Sequence, residues 1–234
     1  MIGRFLYDGK MSSHYGIYIS GSGTYNAPER DIEAVSIPGK NGDLIIDNQR
    51  YKNISVAYPA FIRQKFKASA QAARIWLAAN YEYKRLEDSY HPEYFRLARF
   101  SGPLDFDMRF LNKSGECTIT FDCKPQRFLK EGEMSITAEG AIRLYNPTGQ
   151  KALPRFRVYG SGAGTLAVGN TIMELTEIDG YVDIDCDTQN AYKGNENCNN
   201  RVSNAFPVLE SGQTGISFSG GIERIEIIPR WWTI

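Results

Sequence analysis

The 234-residue sequence lacks the segments that carry a protein into or across a membrane. No apolar run approaches the roughly 20 residues that a membrane-spanning helix needs. The start of the chain contains Arg4 and Asp8, where a signal peptide would have an unbroken apolar stretch. Residue 2 is Ile rather than the Gly that N-myristoylation requires. We therefore expect a soluble chain that is synthesised in the cytoplasm and has no membrane partner.

An excess of charge of either sign is also missing. The 27 Lys and Arg residues balance the 27 Asp and Glu residues, so the formal net charge is +0. A neutral chain creates no long-range field that would attract the phosphate backbone of nucleic acid. We therefore predict no sequence-specific nucleic-acid binding.

Histidine is scarce, and the cysteines form no motif of known chemistry. His14 and His91 are the two histidines, and without a Gly-x-Ser-x-Gly sequence nothing indicates a hydrolase triad. None of the four cysteines lies in a Cys-x-x-Cys pair, which argues against a zinc knuckle or a thioredoxin-type motif. Cys117 and Cys123 fall on one face of an alternating strand, as buried free thiols do. We predict that the chain is not an enzyme and needs no cofactor.

Three aspartates at alternate positions, Asp183-x-Asp185-x-Asp187, form the pattern in this sequence that most resembles a metal-binding site. An EF-hand loop begun at Asp183 would need Gly and Glu where Thr188 and Gly194 stand. We therefore interpret the ladder as the solvated face of a strand, without a metal ion.

The sequence predicts one helix, near residues 69–80. Ser69 is a suitable N-cap, Ala73 and Trp76 recur at helical spacing on one face, and Asn80 is a plausible end. We predict that Trp76 packs this helix against a sheet. The 22 Gly and 14 Tyr residues indicate many short strands and turns around it.

The second half of the chain is predicted to be all β. Strands at 154–159 and 164–168 would flank a hairpin turn at Gly160–Gly164, because a strand follows these glycines where a dinucleotide-binding fingerprint has a helix. Residues 187–204 are rich in Asn and predict a polar loop. Short strands at regular spacing indicate a β-sandwich.

A break in the pattern places the domain boundary. Residues 116–123 alternate as a half-buried strand, and the charged stretch 124–127 interrupts them. The sequence therefore predicts a mainly β protein. Residues 1–128 would form an N-terminal β-sandwich-like domain with one α-helix, and residues 129–234 a C-terminal β-sandwich domain.

Residues 20–50 carry dense turn signals and predict a protruding arm. Pro38-Gly39 suits a type II turn, and Asn41-Gly42 suits a hairpin turn. Such an excursion is either a simple surface loop or an arm that grips a neighbouring subunit. The arm residues that we assign to an inter-subunit interface are Arg30, Glu33, Lys40, Asn41 and Asp43.

An aromatic and basic segment follows the helix. Tyr83 and Arg85 belong to one predicted strand, and Tyr94 and Arg96 to the next. This mixture of side chains could stack on single-stranded nucleic acid or form a protein interface, where Tyr and Arg are enriched. Because acidic residues are interspersed and the net charge is zero, we favour a partner-binding face formed by these four residues.

Motifs along the chain resemble a known family, the distal tail proteins (Dit) of bacteriophages with long, non-contractile tails. The family's tryptophan-leucine helix, tyrosine-rich strand, Leu-x-Asp-Ser turn and Pro-x-Tyr-x-Arg-x-Ala pattern fall on Trp76, Leu77, Tyr83, Leu86, Asp88, Ser89, Pro92, Tyr94, Arg96 and Ala98. Further similar stretches are 33–44, 121–125, 185–186 and 227–232.

The resemblance implies a structural virion protein. An N-terminal ring-forming domain and a C-terminal galectin-like β-sandwich would assemble as a hexamer at the tail tip, and DNA would pass through the ring unread. Its partners would be other copies of itself, the tail tube protein, the tail-associated lysin or tail tip protein, and a receptor-binding protein. The chain would be made in the host bacterial cytoplasm.

Two other hypotheses remain open from the residues alone. A carbohydrate-binding module for host cell-wall polysaccharide would expose aromatic side chains on the C-terminal sandwich. A glycan hydrolase would place two carboxyl groups across a cleft.

Overall fold

The structure is a computed structural model that describes residues 2–21, 23, 26–109, 113–203 and 205–234. The chain divides into two compact units, Met1–Arg127 together with Ile234, and Phe128–Thr233. Both units are built mainly from β-strands, and α1, Phe66–Ala78, is the α-helix found among the described residues. The predicted fold class, β-sandwich-type with one helix, is confirmed.

The first unit contains a curled antiparallel sheet and a separate two-stranded hairpin. Its strands run β1 Phe5–Tyr7, β2 Lys10–Met11, β3 Ile17–Ile19, β4 Arg30–Ser36, β5 Asp43–Tyr51, β6 Ile54–Ile62, β7 Lys84–Asp88, β8 Tyr94–Phe100, β9 Asp107–Arg109 and β10 Ser114–Leu129. The order in the sheet is β2-β1-β7-β8-β10-β6-β3, with β9 beside β10. Gly3 and Ile19 exchange two backbone hydrogen bonds of 2.9 Å, so the sheet curls until its two ends meet. A 3-10 helix, Ser12–Tyr15, precedes β3.

Helix α1 packs on this sheet through Trp76, as predicted. The Trp76 indole stacks on Phe5 of β1 at 5.6 Å between ring centroids and on Tyr15 at 4.4 Å. The predicted start at Ser69 is wrong. The helix begins three residues earlier, because Lys65 adopts a left-handed φ of 53° and serves as N-cap, so that the Ser69 N–H donates inside the first turn to the Lys65 carbonyl.

Strand β10 confirms the buried thiol of Cys123, shows that Cys117 is only partly buried, and corrects the predicted break. Cys123 is fully buried on the same face as Ile119 and Phe121, and burial raises the pKa of Cys117 and of Cys123 to about 12. The strand does not end at 124–127 as predicted. It continues to Leu129, because its backbone remains extended through the charged residues. The sequence also predicts a strand at 106–110. Strand β9 covers 107–109 of it, and residue 110 lies outside the described residues.

The second unit is a β-sandwich with both long and short strands. They are β11 Ile136–Ala138, β12 Ile142–Asn146, β13 Arg155–Val168, β14 Thr171–Asp185, β15 Asn190–Lys193, β16 Glu196–Asn197, β17 Gly212–Ile228 and β18 Trp232–Thr233. The sheet order is β11-β17-β13-β14-β15-β16, with β12 beside β17. The segment 187–204, predicted as a loop, contains β15, β16 and the 3-10 helix Asn199–Arg201. A further 3-10 helix is Lys130–Glu133.

The hairpin turn predicted at Gly160–Gly164 is wrong, because these glycines lie inside β13. Bulges interrupt the pairing of β13 with β14 and β17 there. Bulges bend a strand, and Phe156 before them and Leu166 after them belong to the same core. Close backbone approach requires glycine here, since a Cβ on Gly221 of β17 would lie 1.8 Å from the Ser161 carbonyl oxygen.

The carboxylate ladder is not a solvated face, in contrast to the prediction. Asp183 is 3% exposed and pairs with Arg157, and Asp185 pairs with Arg230. The arginines come from β13 and from the segment before β18, which the strand pattern of β14 alone does not reveal.

Candidate interaction surfaces

The predicted arm exists as a β-hairpin of β4 and β5, which form a two-stranded sheet of their own. Ser36 pairs with Asp43 at its tip. In the connecting loop the Lys40 N–H donates to the Ile37 carbonyl at 3.1 Å, and Gly39 has a φ of 80°. These features confirm the type II turn at Pro38-Gly39. The pair Asn41-Gly42 belongs to the same loop rather than to a separate turn.

The arm exposes large aliphatic side chains on both of its faces. Ile45 lies opposite Ala34 on one face, and Leu44 lies opposite Val35 on the other. Exposed fractions are 46% for Ile32, 47% for Leu44, 54% for Ile45 and 44% for Ile46. An isolated two-stranded hairpin is marginally stable in water, and exposed apolar patches mark interaction sites. The arm therefore has the properties of a segment that is covered by a partner.

The interface residues predicted from the sequence are polar residues of the arm, and these aliphatic ones are not among them. The signal was present in Leu44-Ile45-Ile46. Three adjacent apolar residues in a strand must place apolar side chains on both faces, so a strand with this run either lies between two layers or exposes one face.

Cross-strand ion pairs hold the base of the arm. Arg30 donates to Asp47 at 2.9 Å through Nε, and its guanidinium lies 5.0 Å from the centre of the Tyr51 ring. The hydrogen bond with Asp47 raises the pKa of Arg30, and the same bond lowers the pKa of Asp47. Lys52 pairs with Glu29 at 3.0 Å. Arg30 thus acts within the arm, as part of its own structure.

The other predicted arm residues lie along its exposed length and tip. Glu33 is an exposed residue of β4, Asp43 begins β5, and Lys40 and Asn41 lie in the connecting loop. Lys40 is exposed and forms no ion pair with the described residues. The arm therefore presents a cation at its tip whose charge is available to another molecule.

The aromatic and basic residues after the helix do not form one continuous face. Arg85 lies opposite Leu97, and Leu86 opposite Arg96, in the pairing of β7 with β8. Because neighbouring residues of a strand point to opposite sides, Arg85 and Arg96 project from different faces of the sheet. The Arg85 guanidinium lies 3.8 Å from the centre of the Phe95 ring.

Tyr83 and Tyr94 are engaged within the first unit. Asn53 and Asp122 lie within hydrogen-bond distance of the Tyr83 hydroxyl, and the Arg127 guanidinium lies 4.4 Å from the centre of the Tyr94 ring. Both tyrosines therefore help to order the sheet, and both remain partly exposed.

Arg96 is the most unusual member of this group. It is partly buried, and burial lowers the pKa of its guanidinium. Its Nη1 atom is buried without a hydrogen-bond partner among the described residues. Tyr58 donates from its hydroxyl to Asp88 at 2.7 Å in the same region.

The second unit carries an open cleft of about 730 Å³. Tyr159, Arg224, Glu139 and Glu223 line it. The Arg224 guanidinium lies 4.1 Å from the centre of the Tyr159 ring, and the Tyr159 hydroxyl donates to Glu226 at 3.1 Å. An aromatic ring among charged hydrogen-bonding groups is a chemistry that suits a sugar.

The described part of the chain contains no cluster of three or more His, Cys, Asp and Glu side chains that could hold a metal ion. Over the same residues, no helix is both long and apolar enough to span a membrane.

Comparison with solved structures shows the fold. The Dit protein of phage SPP1, described as a paradigm of the hub adsorption apparatus in phages that infect Gram-positive bacteria, superimposes with a TM-score of 0.76 at 10% identity, over 97% of this chain and 98% of that chain. A chain of the phage P2 baseplate in its activated conformation with Ca gives a TM-score of 0.51 at 8% identity, over 97% of both chains. No family model and no curated protein matches the sequence. The resemblance to distal tail proteins is confirmed at the level of the fold.

Proposed function

We propose that this protein is a structural virion protein that acts as the hub at the distal end of a phage tail. The observation that carries the proposal is the likeness of its fold to the SPP1 Dit protein over the whole of both chains. Copies of the chain would form a hexameric ring that joins the tail tube to the tail tip or baseplate. Tail tube protein, tail-associated lysin and receptor-binding protein would be its neighbours.

The exposed arm supports this assembly. A closed ring needs a heterologous interface, in which one patch of a subunit meets a different patch on the next. The arm supplies one such patch, with Ile45 and Leu44 exposed on opposite faces and Lys40 at the tip. The balanced charge, 27 basic against 27 acidic residues, suits a channel that lets DNA pass without binding it. The proposal assigns no catalytic step to the chain.

The solution mass of the purified protein tests the proposal, measured by light scattering after size exclusion and followed by negative-stain imaging. A six-fold ring, single or stacked in pairs, is expected. A species of other symmetry would contradict the hexamer but not the hub. Absence of the protein from purified virions, tested with an antibody against it, would contradict the hub itself.

Carbohydrate binding by the C-terminal unit is a second candidate, which the cleft around Tyr159 favours. The full-length protein should then bind cell-wall polysaccharide, and Tyr159→Ala should abolish that binding. Tyr145, which is 66% exposed on β12, provides the control, since Tyr145→Ala removes an exposed ring outside the cleft. Equal loss in both variants, or no binding by the parent protein, would exclude the cleft as a sugar site.

A further inference from the structure

Helix α1 and the residues just before it carry a surface of one charge sign. Residues 48–81 contain six Lys and Arg and no Asp or Glu. Two of the six, Arg50 and Lys52, pair with acids of the arm. The other four are exposed and form no ion pair with the described residues, and we term them the basic face: Arg63, Lys65, Lys67 and Arg74.

The basic face lies on the side of α1 that is turned away from the core. The helix buries Ala70, Ala73 and Trp76, whereas Lys67 and Arg74 are both exposed. Residues seven positions apart return to the same side of a helix, and a rise of about 1.5 Å per residue separates them by roughly 10 Å along its axis. The two cations can therefore contact different charged groups of one partner at the same time.

A surface of this kind fits a partner that bears many negative charges. Duplex DNA carries one negative charge per roughly 1.7 Å of its axis, so a span of roughly 10 Å faces several phosphates. Apart from Gln71, the remaining exposed residues of α1 offer no hydrogen-bonding side chain to a base edge, and they are Ala68, Ile75 and Ala78. Contacts to phosphate position a protein on DNA but carry no sequence information.

We propose that the basic face binds the phosphate backbone of duplex DNA without reading its sequence. Lys67 and Arg74 contact phosphates from the helix, and Arg63 and Lys65 add contacts from the segment before it. Because the formal net charge of the chain is +0, no long-range field reinforces this contact, and it is weak. Weak non-specific contacts let a protein slide along DNA. This inference goes beyond the proposed hub function, in which such a contact would guide passing DNA without retaining it.

Charge reversal tests the contact, measured by fluorescence anisotropy with a labelled DNA duplex at low salt. Arg74→Glu should weaken binding about fivefold, and Lys67→Glu combined with Arg74→Glu about twentyfold or more, because attraction to phosphate becomes repulsion. Arg74→Lys should retain binding, since it keeps the charge. Circular dichroism establishes that each variant is folded.

The matched control is Arg143→Glu on β12. Arg143 is likewise exposed and forms no ion pair with the described residues, so the control changes the net charge by the same amount as Arg74→Glu. Binding should change by less than about twofold, because the contact is local.

Salt dependence and protection of amines give further readouts. The logarithm of the association constant should fall with the logarithm of the salt concentration by about 0.9 for each phosphate contacted, and the double variant should show a shallower slope. Duplexes of unrelated sequence should bind within about twofold of one another. Bound duplex should protect Lys65 and Lys67 from acetylation but not Lys151, whose side chain is 69% exposed.

The outcomes separate this contact from the hub. A parent protein that binds no duplex, or equal losses in Arg74→Glu and Arg143→Glu, overturns the inference and leaves the hub proposal intact, since that proposal rests on the fold. A poly-glutamate peptide that competes more strongly than unlabelled duplex would assign the basic face to an acidic protein and overturn the DNA contact. Absence of the protein from virions would contradict the hub without altering the binding result.

Discussion

Arg157 and Asp183 lie directly opposite each other on β13 and β14 and form two hydrogen bonds, each 2.8 Å long. The Asp183 side chain is 4% exposed, whereas that of Arg157 is 38% exposed. A nearly buried carboxylate is therefore compensated by a guanidinium that reaches the surface. The hydrogen bond with Asp183 raises the pKa of Arg157.

Removing the arginine should destabilise the second unit. Arg157→Ala leaves a buried carboxylate without its partner, and we expect the free energy of unfolding to fall by about 2–3 kcal/mol, less than for a wholly buried pair because water reaches Arg157. Urea denaturation measures the change. Arg143→Ala, at an exposed position of β12, should change stability by less than about 0.5 kcal/mol. Equal effects would show that the pair contributes nothing specific.

The ion pair of Asp185 with Arg230 should make the free energy of unfolding depend on pH in the acidic range. Burial raises the pKa of Asp185, but hydrogen bonds and charge attraction from Arg230 outweigh burial and leave that pKa below its ordinary value. The stabilisation is then complete above the unfolded pKa of about 3.9 and is lost as the pH falls through the lower folded pKa.

Asp185→Asn tests this dependence. At pH 7 the variant should be less stable than the parent by about 1–2 kcal/mol. The difference should shrink below about pH 4, where the parent carboxylate also becomes protonated. Thermal melts across this pH range measure it. A difference that stays constant down to pH 2 would contradict the assignment.

Gly221 of β17, which lies against the bulged part of β13, should tolerate no side chain. Gly221→Ala would place a Cβ 1.8 Å from the Ser161 carbonyl oxygen, and the required backbone shift should cost about 3 kcal/mol or more. Gly215→Ala on the same strand is the control, since no atom lies within 4 Å of its added Cβ. The control should be neutral or stabilising by less than about 1 kcal/mol. Calorimetric unfolding of both variants decides between them.

The aliphatic side chains of the arm should contribute to assembly and not to the fold of one chain. Replacing Leu44 and Ile45 together by Gln should raise the dissociation constant of the assembly by more than about tenfold, because apolar area that the interface buries becomes polar. The melting temperature of the monomer should hardly change, since both residues are exposed.

Ile75→Gln is the matched control for this pair, at a position of α1 that is 64% exposed. Sedimentation velocity over a concentration series measures the assembly of both proteins. A double variant that assembles like the parent, or an Ile75 variant that fails equally, would remove the arm from the interface.

Local patterns that depend on one strand or helix were predictable from the sequence. The alternation of apolar and polar residues identified the buried strand face that carries Cys123. The helical spacing of apolar residues identified Trp76 as the contact of the helix with a sheet. The start of the helix was not predictable, because Lys65 adopts a left-handed backbone conformation that residues other than glycine rarely show.

Features that depend on neighbouring strands were not predictable. Gly160 looks like a turn residue until β17 is seen to pass within contact of it. Asp183 looks solvated until Arg157 is placed beside it. Likewise Arg85 and Arg96 seem to share a face, and only the pairing of β7 with β8 shows that they do not. The type II turn of the arm was predictable, because the two adjacent residues Pro38 and Gly39 determine it without any contact from another strand.

The bend of β13 at Gly160–Gly164 has a mechanical consequence. Because β13 contributes Phe156 before the bulges and Leu166 after them to one core, the two halves of the strand are held by the same packing. Separating either half from that core would also require breaking the hydrogen bonds of β13 with β14 and β17, which pair with it on both sides of the bulges. The second unit should therefore resist tension as a single body and rupture in one step under a pulling force, without a half-open intermediate.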